Sequence, residues 1–363
     1  MTNKNLLIGI DIGCEDVQIA YYDDTQFEPV SLEKVIKTDE DYDDERIIRE
    51  CFTVIGEEIE GSTIAKLAIA VEEYSKERSE QLKAILRSYG MNSERAVVLN
   101  YKQCYLYYVL NQSTDLWVND VGLFEYGKNG LVYRQLAVDR RRTPYIVGIL
   151  EKDFTDMIEE KEVENRGYLL ENIAESAIHK QIISTIYVTG KGFEGDWAND
   201  TLKKLCRGRR VFKGSNLYVR GACYAARKLA GLSRMPEYIY IDDDIIPVHV
   251  STCVYVNAAE QELIITKAGT PWQETEASIY VIPDNENELQ INITNVLTRA
   301  KSSHFIPLDF LGEERLDMKT RLRVRVRFQD VNRCIITLSD EGFGEICRSS
   351  RKMYERVIDT SVF

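Results

Sequence analysis

Two segments of the chain place an acidic residue two positions before a glycine, at the turn of a strand–turn–strand pattern. In the first segment, "IGIDIGCEDVQIAYYDD" at residues 8–24, the acid is Asp11 and the glycine is Gly13. In the second segment they are Glu125 and Gly127. Such an acid can hold a metal-bound water, while the backbone N–H groups of the turn face a phosphate. An ordinary surface hairpin with an acidic tip gives the same pattern, so the first segment alone does not decide between the two.

A third glycine-bearing turn, "TGKG", follows a predicted strand at residues 185–189. The candidate cofactor-binding residues of the three turns are Asp11, Gly13, Cys14, Gly127, Lys128, Gly190, Lys191 and Gly192. Asp11 is also the candidate metal ligand, acting through a water, and Asp11 and Glu125 are the candidate catalytic acids. Lys128 and Lys191 would reach phosphates, as lysines do in other phosphate sites. The alternative is that both lysines are simply solvated in their turns.

Composition excludes several classes of function. A formal net charge of −13 argues against nucleic acid or an anionic membrane as the main partner. No segment approaches the ~20 apolar residues of a membrane helix, and the N-terminus does not resemble a signal peptide. Eight scattered cysteines without a C-x-x-C pair indicate reduced thiols in the cytoplasm. Three separated histidines argue against a zinc site and against a histidine-based catalytic triad.

The hydrophobic pattern divides the chain into an α/β part and a β part. Strands alternate with helices up to residue 236, and the two hairpins look like equivalent positions in two halves of a duplicated fold. An acidic and apolar linker is predicted at 237–244. Short alternating strands at 245–363 predict a β-sandwich that ends in a short helix.

Four arginines alternate along one strand of the predicted sandwich, so they project from the same face. They are Arg321, Arg323, Arg325 and Arg327. We interpret this stripe as a partner-binding surface that could dock on an acidic segment such as residues 39–45. The alternative is protection of an exposed strand. Four tyrosines crowd the predicted helix that begins near Tyr101, and core packing is the simpler interpretation of them.

The order of the two hairpins and the glycine turn resembles the actin, sugar-kinase and heat-shock ATPase superfamily. The chain is most similar to the seventy-kilodalton heat-shock chaperones of the DnaK type, through "LAIAVEEYSKERSEQLKAILRSYGMNSERAVVLN" and "NLYVRGACYAARK". The β part resembles the peptide-binding sandwich of that family. The resemblance implies a duplicated actin-like (ribonuclease-H-like) domain, a nucleotide bound with Mg²⁺ between the hairpins, and peptide partners.

Departures from that family concern the chemistry of the nucleotide site. The two threonines after the first glycine are replaced by Cys14 and Glu15, which puts negative charge where a phosphate would sit. The second turn loses two glycines, although a backbone cradle tolerates side chains poorly. The family's segment with an acid near the attacking water becomes "NYKQ" at 100–103. Efficient phosphoryl transfer needs these groups together, so we expect it to be lost.

The expected function is a DnaK-like protein-binding protein, chaperone-like or a scaffold, with a degenerate and hydrolytically inactive nucleotide cleft. ATP or ADP with Mg²⁺ would bind weakly or not at all. The expected partners are proteins or peptides, with no nucleic acid and no membrane, in a bacterial-type cytoplasm. Two alternatives stay open: an active chaperone that hydrolyses ATP slowly with Asp11 and Glu125, and an actin-like self-assembling scaffold.

Overall fold

The chain forms two compact units in the computed structural model. The structure describes residues 4–13, 16–23, 26, 28–34, 36–37, 43–59, 61–159, 165–283, 287–312, 320–345 and 347–361. The first unit comprises Met1–Leu136 and Ile149–Pro236, and the second comprises Ala137–Gly148 and Glu237–Phe363.

The first half of the first unit is a mixed sheet with helices. Its elements are β1 (Lys4–Ile12), β2 (Asp16–Tyr22), β3 (Val30–Ser31), β4 (Ile36–Lys37), α1 (Asp44–Glu58), β5 (Ser62–Val71), α2 (Lys76–Ser88), β6 (Ala96–Asn100) and α3 (Tyr101–Leu110). The strand order is β3-β2-β1-β5-β6, and β4 also pairs with β2. β2 runs antiparallel to β1, whereas β5 and β6 continue the sheet in parallel. One hydrophobic cluster joins these strands to α1 and α2.

The second half repeats this arrangement. Its elements are β7 (Asp120–Gly127), β8 (Gly130–Asp139), β9 (Tyr145–Asp153), α4 (Thr155–Glu159), α5 (Arg166–Ala177), β10 (Ile183–Thr189), α6 (Asn199–Leu205), β11 (Arg210–Lys213) and α7 (Leu217–Leu229). The strand order is β11-β10-β7-β8-β9, and Tyr238–Ile241 adds a sixth strand beside β9. The end of β8 and the start of β9 fall within Ala137–Gly148 of the second unit. Again the first two strands form an antiparallel hairpin and the next two extend it in parallel. The two halves therefore share one topology, with the two predicted hairpins at equivalent positions.

Helices α3 and α7 pack on one another, and α7 also packs on β1. Two glycines allow this close approach. A Cβ at Gly221 would lie 2.1 Å from the backbone oxygen of Cys104, and a Cβ at Gly9 would lie 2.4 Å from that of Val219. Neither clash could be relieved by a side-chain rotation, because both contacts are with backbone atoms. These glycines let α3 and α7 meet close to β1.

The second unit contains two antiparallel four-stranded sheets and a short strand, Tyr238–Ile241, that pairs in parallel with β9. Its strands are β12 (Tyr238–Ile241), β13 (Val248–Val256), β14 (Ala259–Thr266), β15 (Glu276–Val281), β16 (Glu288–Asn295), β17 (Lys301–Pro307), β18 (Leu322–Asp330), β19 (Arg333–Asp340) and β20 (Met353–Asp359). Two four-stranded sheets have the orders β14-β13-β16-β17 and β15-β18-β19-β20. Buried residues of both sheets form a single cluster, as in a β-sandwich. The predicted α/β part followed by an all-β part is therefore confirmed, whereas the likeness to a chaperone's peptide-binding domain stays a prediction.

Two predicted elements differ from the structure. The predicted linker at 237–244 contains strand β12, which pairs in parallel with the first residues of β9, because Tyr-Ile-Tyr-Ile is a sequence of strong strand formers. The predicted short C-terminal helix is wrong. Residues Met353–Asp359 instead form β20, which pairs with β19 and buries Ile358 in the sandwich core.

Candidate functional site

The three predicted turns lie at the carboxyl ends of parallel strands. β1 and β5 are parallel, and Asp11 pairs with Ala70 near the end of both strands. β7 and β10 are parallel, and Glu125 pairs with Thr189, the residue just before the glycine turn. Carboxyl ends of parallel strands are where α/β sheets place binding sites. We call the residues gathered at these ends in the first unit the hairpin site.

The acid of the first hairpin binds a tyrosine. Helix α3 begins at Tyr101, directly after β6, because Asn100 and Gln103 cap its first turn in both directions. This start places Tyr101 beside the first hairpin, where its Oη donates a hydrogen bond to Asp11 Oδ1 over 2.9 Å. The same hydroxyl would lie 3.1 Å from a Cβ added at Gly13. The Tyr101 side chain therefore stands against the turn that a phosphate was predicted to contact.

The acid of the second hairpin binds another tyrosine and an arginine. Tyr218 Oη donates to Glu125 Oε2 over 2.8 Å, and Arg134 forms an ion pair with the same carboxylate. Arg134 Nε also contacts Glu151 Oε2 at 2.6 Å, and Glu151 Oε1 lies 3.1 Å from Lys102 Nζ. Glu125, Arg134, Glu151 and Lys102 thus form a series of alternating charges, in which each charge is paired with an opposite charge of the protein.

The two tyrosines connect the two acids. The rings of Tyr101 and Tyr218 stack with centroids 3.7 Å apart and planes 16° from parallel. Both residues are buried. The continuous contact from Asp11 through Tyr101 and Tyr218 to Glu125 fills the space between the two hairpin acids with protein atoms.

Burial changes the charge of Asp11. Desolvation raises the pKa of its carboxyl to about 8, against the opposing effect of the hydrogen bond from Tyr101. The negative charges of Glu125, Glu72 and Asp16 raise it further. At pH 7 the protonated, neutral form of Asp11 therefore predominates. For Glu151, burial alone would raise the pKa, but Arg134 and Lys102 hold it below its usual range.

Two polar contacts join the turns to neighbouring segments. Lys191 Nζ lies 3.1 Å from Asp16 Oδ2, which ties the glycine turn to the first hairpin. Asn129 Nδ2 donates to Glu72 Oε1 over 2.9 Å, which ties the second hairpin to the end of β5. The predicted turns thus come together, but lysine and amide side chains contact protein acids there.

The predicted glycines have different surroundings. Gly190 has a φ of +98°, and a Cβ there would lie 2.3 Å from the backbone oxygen of Tyr126. A Cβ at Gly192 would lie 2.5 Å from the Tyr126 ring. Both glycines are therefore needed for close packing against β7. A Cβ at Gly127 would meet no atom within 4 Å, and Lys128 is exposed. Cys14 lies outside the described residues.

Sequence reasoning missed Tyr218, Arg134 and Glu151, and it assigned Tyr101 only to core packing. The available signal was a tyrosine at the start of each of two predicted helices, Tyr101 in "NYKQ" and Tyr218 in "NLYVRGACYAARK". Within the described parts of the chain, no group of three His, Cys, Asp or Glu side chains is arranged to hold a metal ion. In the same residues, no helix has the length and apolarity required to cross a membrane.

Two protein-family models match the chain. The model "Family of unknown function (DUF5716) C-terminal" matches residues 30–243, which is more than half of the chain, and the protein belongs to this family. A second model, "Domain of unknown function (DUF8552)", matches residues 246–360. No curated protein matches the chain.

Several solved structures resemble part of this chain at low sequence identity. A glucokinase from Balamuthia mandrillaris in complex with glucose is 13% identical with a TM-score of 0.44, over 62% of this chain and 94% of that one. The activator of the 2-hydroxyisocaproyl-CoA dehydratase from Clostridium difficile with bound ADPNP is 11% identical with a TM-score of 0.39, over 62% and 96%. The ethanolamine utilization protein EutJ from Carboxydothermus hydrogenoformans is 11% identical with a TM-score of 0.38, over 61% and 90%. At such TM-scores function has to be argued from this chain's own residues.

Proposed function

We propose that this chain is a protein-binding protein, chaperone-like or a scaffold, in which side chains of the protein itself close the nucleotide-type site. The observation that carries the proposal is the Tyr101–Tyr218 stack, which joins the acids of the two hairpins through hydrogen bonds. ATP or ADP with Mg²⁺ does not fit these residues. The DnaK-like resemblance of the sequence supports the binding role.

The first reason for the misfit is the charge of Asp11. Mg²⁺ is a hard cation that prefers charged carboxylates and water as ligands. A carboxyl group with a pKa of about 8 is mostly neutral at pH 7, and its Oδ1 already accepts a hydrogen bond from Tyr101. Asp11 therefore lacks the charge that ordering a metal-bound water requires.

The second reason is the engagement of Glu125. Its ion pair with Arg134 has side chains only 15% and 12% exposed. Removing one partner from such a buried pair typically costs about 3–5 kcal/mol, because the other charge is left uncompensated. A nucleotide that recruited Glu125 for catalysis would have to offset this cost and also separate the stacked tyrosines.

The second unit supports a role in protein binding. The β13–β14 hairpin exposes apolar side chains near its tip, and Tyr255 is 80% exposed. Val256, Leu263 and Ile264 of the same hairpin are also exposed. Exposed apolar side chains of this size are available for contact with another protein.

A nucleotide titration followed by thermal unfolding tests the closed site. A ligand present at about 100 times its Kd stabilises the fold by ~2.7 kcal/mol. We expect no saturable rise in melting temperature with Mg-ATP or Mg-ADP in the millimolar range. The Tyr101→Ala/Tyr218→Ala variant removes both rings and tests whether they exclude the nucleotide from the hairpin site.

Two results would contradict the proposal. One is a saturable shift in the unmodified chain. The other is ATP hydrolysis that disappears in Asp11→Ala, which would favour the slow nucleotide-dependent chaperone instead. A shift that appears only in the double tyrosine variant would support the proposal, because the rings would then be what excludes the nucleotide.

A further inference from the structure

The outer face of the sheet β15-β18-β19-β20 carries the predicted arginines. Along β18 the side chains alternate, with Leu322, Val324, Val326 and Phe328 buried in the sandwich core. Arg323, Arg325 and Arg327 therefore project from the opposite face of the sheet. Arg321 precedes the strand, and its guanidinium lies 4.9 Å from the ring centroid of Tyr280. We call these four arginines and their cross-strand neighbours the arginine face.

Strand register places hydroxyl groups and apolar side chains beside the arginines. Arg323 lies between Tyr280 and Ser339 in one cross-strand row. The next strand adds Met353 to the same row. Tyr280 is 55% exposed and Met353 is 68% exposed, so the row offers guanidinium, hydroxyl and apolar groups to a ligand.

A groove of about 410 Å³ opens on this face. Its lining includes Arg323, Arg325, Arg351, Thr337 and Ser339. Two acids also line it, and both accept hydrogen bonds from neighbouring groups. Asp340 is buried and receives hydrogen bonds from Thr320, Ser350 and Gly342, while Glu341 accepts one from Ser339.

The arginines have partners that a ligand could replace. Arg325 contacts Glu276 at 2.8 Å, and Arg327 contacts Glu355 at 3.6 Å. The side chains of these two arginines and two glutamates are between 42% and 52% exposed. Exposed ion pairs of this kind contribute little to stability, so exchanging one carboxylate for another costs little.

We propose that the arginine face binds an extended acidic peptide segment of a partner protein, with carboxylates at alternate positions. Alternate residues of an extended chain are ~6.5–7 Å apart, which is also the spacing of successive arginines on β18. Guanidinium groups bind carboxylates through two parallel hydrogen bonds. Tyr280 and Met353 would contact apolar side chains of the same segment.

Charge on the face favours a peptide over nucleic acid. Glu276 and Glu355 stand among the arginines, and the whole chain carries a net charge of −13. The net charge repels any polyanion, but the two glutamates repel a continuous row of phosphates in particular, whereas a peptide can place neutral residues beside them. This inference rests on the proposed protein-binding role and adds to it the surface and the partner chemistry.

Fluorescence anisotropy with the full chain tests the proposal. The probe is a labelled peptide in which glutamate alternates with serine, compared with a peptide of the same composition whose glutamates form one block. The test variant is Arg323→Gln/Arg325→Gln. The control variant is Lys267→Gln/Lys301→Gln, which removes the same charge from exposed positions elsewhere in the second unit.

We expect the alternating peptide to bind more tightly than the blocked one. The arginine variant should lose at least about tenfold in affinity, since each lost charge-assisted bond is worth more than a neutral one. The control variant should stay close to the unmodified chain. Charge reversal in Arg323→Glu/Arg325→Glu should move the preference to a peptide in which lysine alternates with serine, and unchanged melting temperatures exclude misfolding.

Equal losses in both double variants, equal binding of the two acidic peptides, or tighter binding of a single-stranded oligonucleotide would each overturn the proposal. The nucleotide titration of the hairpin site involves none of these residues. Failure of the peptide experiment therefore leaves the closed hairpin site in place, and a nucleotide shift leaves the peptide result in place.

Discussion

At the scale of single residues, the two acids of the hairpin site have different surroundings, and these decide the charge of Asp11. An aspartate in water is charged at neutral pH, but Asp11 lies at the end of a strand buried on both faces. Its partner is a hydroxyl group, which stabilises a charge less than a cation would. Glu125 has the opposite surroundings, since Arg134 and Tyr218 both donate to it. Two acids that occupy equivalent positions in the sequence pattern thus have different hydrogen-bond and ion-pair partners in the fold.

Replacement of Asp11 by asparagine should change how stability depends on pH. Because the folded-state pKa is about 8 and the usual value is 3.8, the folded chain holds one more proton than the unfolded chain between these values. The stabilisation is complete below about pH 4 and falls as pH rises, by about 1.4 kcal/mol per pH unit. The asparagine side chain cannot ionise. The free energy of unfolding of the unmodified chain minus that of Asp11→Asn should therefore decrease between pH 5 and pH 8, as measured by urea titration.

The matched control for this experiment is Asp200→Asn, an exposed acid on α6. Its difference from the unmodified chain should be flat over the same pH range. A flat difference for Asp11→Asn as well would mean that Asp11 is ionised in the fold, and the argument against a metal-bound water would then lose its basis.

At the scale of elements, the sequence predicts the features that depend only on the local pattern of residues. The hairpins, the glycine turns and the strands of the sandwich follow from alternation and turn residues, and the structure contains them. The C-terminal strand β20 was missed because its charged residues obscure the alternation, and its conformation depends on pairing with β19. The Tyr101–Tyr218 stack was missed for a related reason: the two residues are distant in the chain, and only the packing of α3 on α7 brings them together.

Alanine at Gly221 tests that packing of helices. The added methyl group would lie 2.1 Å from the backbone oxygen of Cys104, so α3 and α7 would have to move apart. We expect Gly221→Ala to lower the free energy of unfolding by about 1–3 kcal/mol or more. Chemical denaturation measures the change.

Gly56→Ala provides the control, because Gly56 is exposed on helix α1 and a Cβ there would meet no atom within 4 Å. Alanine favours helix over glycine by about 0.4–1 kcal/mol, so this variant should be neutral or more stable. If Gly221→Ala were equally well tolerated, close contact between α3 and α7 would not be what holds the tyrosines together.

At the scale of the whole molecule, two buried acids in different units, Asp11 and Asp340, make stability depend on pH in opposite directions. In the first unit, burial dominates and raises the pKa of Asp11 to about 8. In the second unit, burial alone would raise the pKa of Asp340, but hydrogen bonds from Ser350 and Thr320 lower it to about 2. Asp340 thus stabilises its unit in the ionised form, whereas Asp11 does so in the protonated form.

Acid should therefore weaken the second unit through Asp340. A lowered folded-state pKa contributes stability that is present above the usual value of 3.8 and is lost as pH falls towards 2. Asp340→Asn should cost about 2 kcal/mol at pH 7, since hydrogen bonds to a charged group are worth about 1.5–3 kcal/mol. Hydrogen exchange measured by mass spectrometry on peptides of residues 320–345 should show this loss, and the difference from the unmodified chain should shrink below pH 4.

Asp309→Asn, at an exposed acid of the same unit, is the control and should leave exchange unchanged. A difference for Asp340→Asn that persists undiminished at pH 2 would mean that the carboxylate charge does not stabilise this unit.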